Sequence, residues 1–188
     1  SPAPTPGAPH LHTVSLPHPN STPQYSSGSY PSPSGSNASQ ILSLNPLLSY
    51  NGVAPIYFNV TRDVQYIQLR PGCSPSMLQA SAVSPTCTRL LLSIPVLPSW
   101  PIEVTNSRGV TVYDVLVKLR DVLNRSVSPM ETTVSGIVSE YFRARVRADA
   151  REFAQGIKGI DFLGPNVFFA GLSRARDGQD RWDVYFSP

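Results

Sequence analysis

The first 61 residues of this 188-residue chain contain no Asp, Glu, Lys or Arg. All 15 basic and 12 acidic residues fall between Arg62 and Asp183. Histidine has the opposite distribution, with His10, His12 and His18 all in the uncharged stretch. The charged part therefore holds no imidazole, and a Ser-His-Asp or Cys-His apparatus has no general base within it. Metal sites built on histidine are excluded there for the same reason. A base reaching in from an unstructured leader would lack the preorganisation that catalysis depends on. Cysteine is scarce too. Cys73 and Cys87 form no CxxC pair, which argues against zinc, and they read as two free thiols. A disulfide between them would close a short Pro/Ser-rich loop and add about 3 kcal/mol. No run approaches the roughly 20 apolar residues that span a bilayer, so no transmembrane segment is expected. GxGxxG and P-loop patterns are missing, and no cofactor, catalytic residue or metal ligand is assigned.

What is present divides the chain in two. Residues 1–40 are dominated by Pro, Ser, Thr and Gly, with Pro2, Pro4, Pro6, Pro9, Pro17, Pro19, Pro23, Pro31 and Pro33 removing backbone donors. Such a segment buries too little apolar surface to offset the entropy of ordering, and it reads as a disordered tail. Residues 41–188 are the size of one ordinary domain. The net charge is +3 and the pI about 9.0, mildly basic and insufficient alone to imply nucleic acid. Thirteen of the 15 basic residues are Arg. Sequons at Asn20, Asn37, Asn59 and Asn124 are expected by chance in so Ser/Thr-rich a chain.

Within the domain, Pro55–Thr61, Val64–Arg70, Arg89–Val96 and Trp100–Val104 read as short strands, with a long Pro/Ser/Cys loop over Pro71–Thr88. Val112, Val115, Leu116, Leu119, Val122 and Leu123 form one apolar helical stripe, preceded by Thr111 and Asp114 in capping-box spacing. Ser128-Pro129-Met130-Glu131 starts a second helix with a stripe from Val134 to Phe153, stopped at Gly156. Ile157–Leu163, Val167–Ser173 and Arg181–Ser187 read as three closing strands, the last two joined by an Asp-Gly turn. Trp182, Val184 and Phe186 then share one strand face, opposite Asp183 and Tyr185. The order predicts an α+β domain: a mainly antiparallel sheet with two helices packed on one face.

Three groups of residues are candidates for recognition. Arg174, Arg176 and Arg181 surround the final hairpin, and Arg is enriched at interface hot spots. Trp100, between Ser99 and Pro101, is placed as a groove wall beside an exposed strand edge, or packed against the sheet edge. Arg143, Arg147 and Arg151 share a helix face with Glu140, as a solvated surface or a phosphate-binding ridge, and Arg145 sits apart with Asp149 as its ion-pair partner. Asp161, Asp177 and Asp180 are conceivable acids, but Asp beside Asp-Gly is ordinary turn chemistry.

The ordered set Asn45-Pro46-Leu47-Leu48, Trp100-Pro101-Ile102-Glu103-Val104, Val110-Thr111-Val112-Tyr113-Asp114-Val115-Leu116, Gly159-Ile160-Asp161-Phe162-Leu163, Phe169-Ala170-Gly171-Leu172 and Asp180-Arg181-Trp182 resembles an uncharacterised domain family abundant in basidiomycete fungi. The resemblance covers about Asn45 to Ser187. It implies a fungal origin and a disordered leader, and it brings no activity, ligand or catalytic residue.

The expectation is therefore a non-catalytic regulatory or scaffolding module with a protein partner. The alternative is a nucleic-acid-associated factor using the Arg143–Arg151 face, and a weaker one is a secreted fungal effector. An intracellular location, cytoplasm or nucleus, is favoured over secretion. The oligomeric state stays open.

Overall fold

The computed structural model describes residues 41–52, 54–128, 134–147, 149–177 and 180–188. The Pro/Ser-rich leader lies outside these residues, as do the Pro129–Glu131 start motif and the Gly178 turn.

Short extended pieces come first: β1 (Ser43–Leu44), β2 (Ile56–Tyr57), β3 (Gln68–Leu69) and β4 (Val83–Ser84). The main strands are β5 (Arg89–Ser93), β6 (Ile102–Thr105), β7 (Phe168–Arg174) and β8 (Trp182–Ser187). Their order in the sheet is β6-β5-β8-β7, with β5–β6 and β7–β8 antiparallel and β5–β8 parallel. The helices are α1 (Val112–Leu123), α2 (Gly136–Val146) and α3 (Ala150–Ala154). The fold is α+β, as the order of elements predicts. β1 pairs with β4 and β2 with β3 as separate two-stranded pieces. The predicted strand Val64–Arg70 is cut to Gln68–Leu69, because Val64–Tyr66 winds into a 3-10 turn capped by Asp63 Oδ1.

Alternation decides the sheet faces. Leu90, Leu92, Ile102, Val104, Trp182 and Val184 are buried on one side, with Phe186 packed against them. That side receives α1, whose Val112, Val115, Leu116, Leu119 and Leu123 are all buried. The start of α1 follows its sequence signature. Thr111 Oγ1 accepts the Asp114 N–H at 3.1 Å, and Asp114 Oδ2 accepts the Thr111 N–H at 2.9 Å. Asn124 closes the helix by donating Nδ2–H to the carbonyl of Arg120 at 2.8 Å and to that of Val60 at 3.3 Å.

The outer side of β7 is covered. Tyr50 N–H donates to Leu172 O and Leu172 N–H to Leu48 O, while Phe169 N–H donates to Phe58 O. A bulge at Ala170 and the positive φ of Gly171 let the Ser49–Tyr50 backbone come this close. A Cβ on Gly171 would lie 2.7 Å from Tyr50 Cα. Among the described residues, β6 is the sheet edge that pairs on one side only.

Three expectations need correction. The helix that carries Val138, Phe142 and Val146 begins at Ser135, whose Oγ accepts the Val138 N–H at 3.4 Å. It also ends early. Asp149 Oδ1 takes the N–H groups of Arg151 at 2.8 Å and Glu152 at 3.2 Å, so the chain restarts as α3 instead of continuing. Residues Ile157–Leu163 are not a strand. Asp161 Oδ2 accepts the Lys158 N–H at 2.9 Å, closing a 3-10 turn over Gly159–Phe162. Gly159 sits where a Cβ would be 2.7 Å from the Trp100 ring, so the turn rests directly on that indole. α2 packs chiefly on this turn and on α3, so of the helices α1 is the one that seals the sheet.

Candidate functional site

The densest polar constellation lies between α2, α3 and the Gly159–Phe162 turn. Arg145 grips Asp161 with two parallel bonds, Nε to Oδ1 and Nη2 to Oδ2, both 2.8 Å. Its Nη1 donates to Glu152 Oε2 at 2.6 Å, and Nη2 also reaches the Gly156 carbonyl at 3.0 Å. Lys158 Nζ donates to the same Glu152 oxygen at 2.7 Å. Asp161 is 3% exposed and Lys158 6%. The Asp161 carboxylate raises the Arg145 pKa above its ordinary value, against the opposing effect of burial. The expected Arg145–Asp149 pair does not form, since Asp149 caps α3 and Arg145 turns inward to Asp161.

These four residues wall a cavity of about 480 Å³. Tyr141 and Ala144 of α2, Asn124 at the end of α1, and Ile160, Gly164 and Val167 complete most of its lining. Such a volume lies within the roughly 300–1,000 Å³ of small-molecule sites. Arg145, Glu152 and Lys158 carried no functional reading in the sequence. A spacing of six residues brings no two side chains into contact on a helix or a strand, so Glu152–Lys158 gave no signal, and Arg145–Asp161 is a contact across 16 residues. Among the described residues, no three His, Cys, Asp or Glu side chains gather as a metal-binding group. No helix there is long and apolar enough to cross a membrane.

The other candidate residues separate into three groups. Trp100 is 4% exposed and belongs to the core, with the Arg125 guanidinium 4.3 Å above its ring, so it is no groove wall. Trp182 is also buried. At the hairpin, Arg174 pairs with Asp180 and Arg181 with Asp177, while Arg176 is exposed. The three aspartates thus act as structural partners, Asp177 and Asp180 for the turn and Asp161 for the α2 ion pair.

On the helical arm, Arg143, Arg147 and Arg151 are all exposed, and none has an ion-pair partner among the described residues. Arg143 and Arg147 do share a face of α2 with Glu140, while the break at Asp149 puts Arg151 on α3. The sequence stripe also misplaces apolar side chains here, Val134 among them. Ile137 is 66% exposed and Phe153 62%, the latter with its ring 5.7 Å from that of Phe142. Cys73 and Cys87 are both free, half-buried thiols packed against the core.

No curated protein and no solved structure matches the chain. Residues 56–179, about two thirds of it, match the model of a family of unknown function (DUF6699). That span runs from β2 through α3 and β7 and takes in every residue that lines the charged cavity. The chain belongs to this uncharacterised family, and its cavity and its arginine-bearing arm are both features of the family's own segment.

Proposed function

We propose that the protein is a non-catalytic interaction module whose contact surface is the α2–α3 arm. One observation carries this reading: two large apolar side chains, Ile137 and Phe153, stand in water on an arm that also carries three exposed guanidiniums with no ion-pair partner among the described residues. Exposed apolar groups beside unneutralised arginines suit a protein partner with apolar anchors and acidic flanks. The hairpin arginines rank below the arm, because Arg174 and Arg181 already face aspartates of their own turn.

The test is capture of partners from native lysate by the full chain and by an Ile137→Ser/Phe153→Ser variant, each with and without nuclease. A protein retained by the parent chain, lost by the variant and indifferent to nuclease is the expected result. Neither residue is buried, so the variant keeps its fold, checked by an unchanged melting temperature. Partners lost instead on Arg174→Ala/Arg176→Ala would move the surface to the hairpin. The nucleic-acid reading rests on the same exposed arginines. It requires nuclease-sensitive retention, steep weakening with salt, and loss on Arg143→Ala/Arg147→Ala/Arg151→Ala.

A further inference from the structure

We propose that the cavity walled by Arg145, Glu152, Lys158 and Asp161 binds a neutral, hydroxyl-rich small molecule of monosaccharide or disaccharide size. The inference is independent of the interaction surface above and rests on the wall's charge and unused hydrogen-bonding capacity. Two cations face two carboxylates, so the wall is formally neutral. A net anion or cation would meet a repelling group for every attracting one.

The remaining valences are of both kinds. The Lys158 ammonium has three N–H groups and, among the described residues, one partner, Glu152, while its side chain is 8% exposed. Arg145 keeps one Nη1–H unused. On the accepting side, neither Glu152 Oε1 nor Asn124 Oδ1 receives a hydrogen bond from the described residues. Spare donors and spare acceptors in one neutral cavity call for groups that both give and take a hydrogen bond, which is what a hydroxyl does. Water meets the same description and fills such a site by default. A polyol displaces several waters while reproducing their bonds, and its C–H faces need apolar wall. The wall supplies that in the Tyr141 ring, beside Ile160 and Val167. Gly164 keeps the ring in place: a Cβ there would press to 3.1 Å from Tyr141 Cε2.

The experiment is an amide-shift NMR titration of the full chain with glucose, N-acetylglucosamine, maltose, inositol, inorganic phosphate and acetate. The expected result is saturable shifts at Tyr141, Lys158 and Gly164 with at least one neutral member, in the millimolar range. Two variants sharpen it. Ala144 lines the cavity yet is exposed, so Ala144→Trp obstructs the space without touching the ion pairs and should weaken binding about tenfold or more at unchanged melting temperature. Glu152→Gln leaves the wall with a net positive charge and should reverse the preference, weakening the sugar and admitting phosphate. Absence of saturable binding by any neutral member overturns the proposal. So does tighter binding of phosphate or acetate by the parent chain, or sugar binding that Ala144→Trp leaves intact.

Discussion

Asp161 accepts three hydrogen bonds while almost wholly shielded from water: two from the Arg145 guanidinium and one from the Lys158 backbone. A carboxylate in that position is costly to bury and costlier to remove, because its partner is left without compensation. Asp161→Asn is predicted to destabilise the fold by about 3 kcal/mol in urea denaturation, at the low end for a buried pair because Arg145 keeps Glu152 and some solvent. Arg145→Met/Asp161→Leu should cost less than the two single changes summed, since neither charge is then stranded. Asp114 gives a pH prediction. Burial alone would raise its pKa, but hydrogen bonds from Asn106 and from the Thr111 N–H and O–H outweigh it and hold the carboxyl below its usual range. A depressed folded-state pKa means its stabilisation is complete above the unfolded value near 3.9 and is lost as pH falls through the folded value. Acid titration of stability should therefore show a component below about pH 4 that Asp114→Asn removes.

At the scale of elements, what was legible in the sequence was local. The α1 stripe, its Thr111–Asp114 box and the alternation in β8 each lie within a dozen residues, and each stands where the pattern puts it. The misreadings all arose where a side chain bonds outside its period. A continuous apolar stripe from Val134 to Phe153 predicts one helix, but Asp149 spends its carboxylate on two N–H groups and divides it. Phe153 stands exposed on the short helix that follows. Ile157–Leu163 has the apolar content of a strand and fails as one because Asp161 turns back on Lys158. The cavity was illegible for the same reason, since its four charged residues come from three elements. Asp149→Ala should cost about 1 kcal/mol, the usual worth of such a cap. Hydrogen exchange should locate the loss in residues 149–155, and α2–α3 amides should exchange faster than those of α1, which the core encloses.

The whole molecule carries its charge unevenly, with none before Arg62 and a net +3 after it. That sum is small, and the cavity cations add nothing to the outside field because acids beside them cancel it. A response of the protein to ionic strength should therefore trace to exposed arginines, those of the α2–α3 arm among them, and should weaken when Arg143, Arg147 and Arg151 are made neutral. Residues 39–188 form one compact unit. A recombinant chain beginning at Ser39 is predicted to unfold in one cooperative transition, followed by circular dichroism and by tryptophan fluorescence from the buried Trp100 and Trp182.

The position of β8 inside the sheet bears on how such a domain is inherited. The segment that matches the family ends at Gln179, before β8, and starts after Leu48 and Tyr50, which hold the edge of β7. Yet β8 is the strand to which both β5 and β7 are hydrogen-bonded. The matched span is thus narrower than the compact unit 39–188. A fragment cut to residues 56–179 should collapse into an aggregation-prone state with two open strand flanks, while 39–188 stays soluble. The nine residues beyond the match thus carry the strand that joins β5 to β7, and removing them would part the sheet into two pieces.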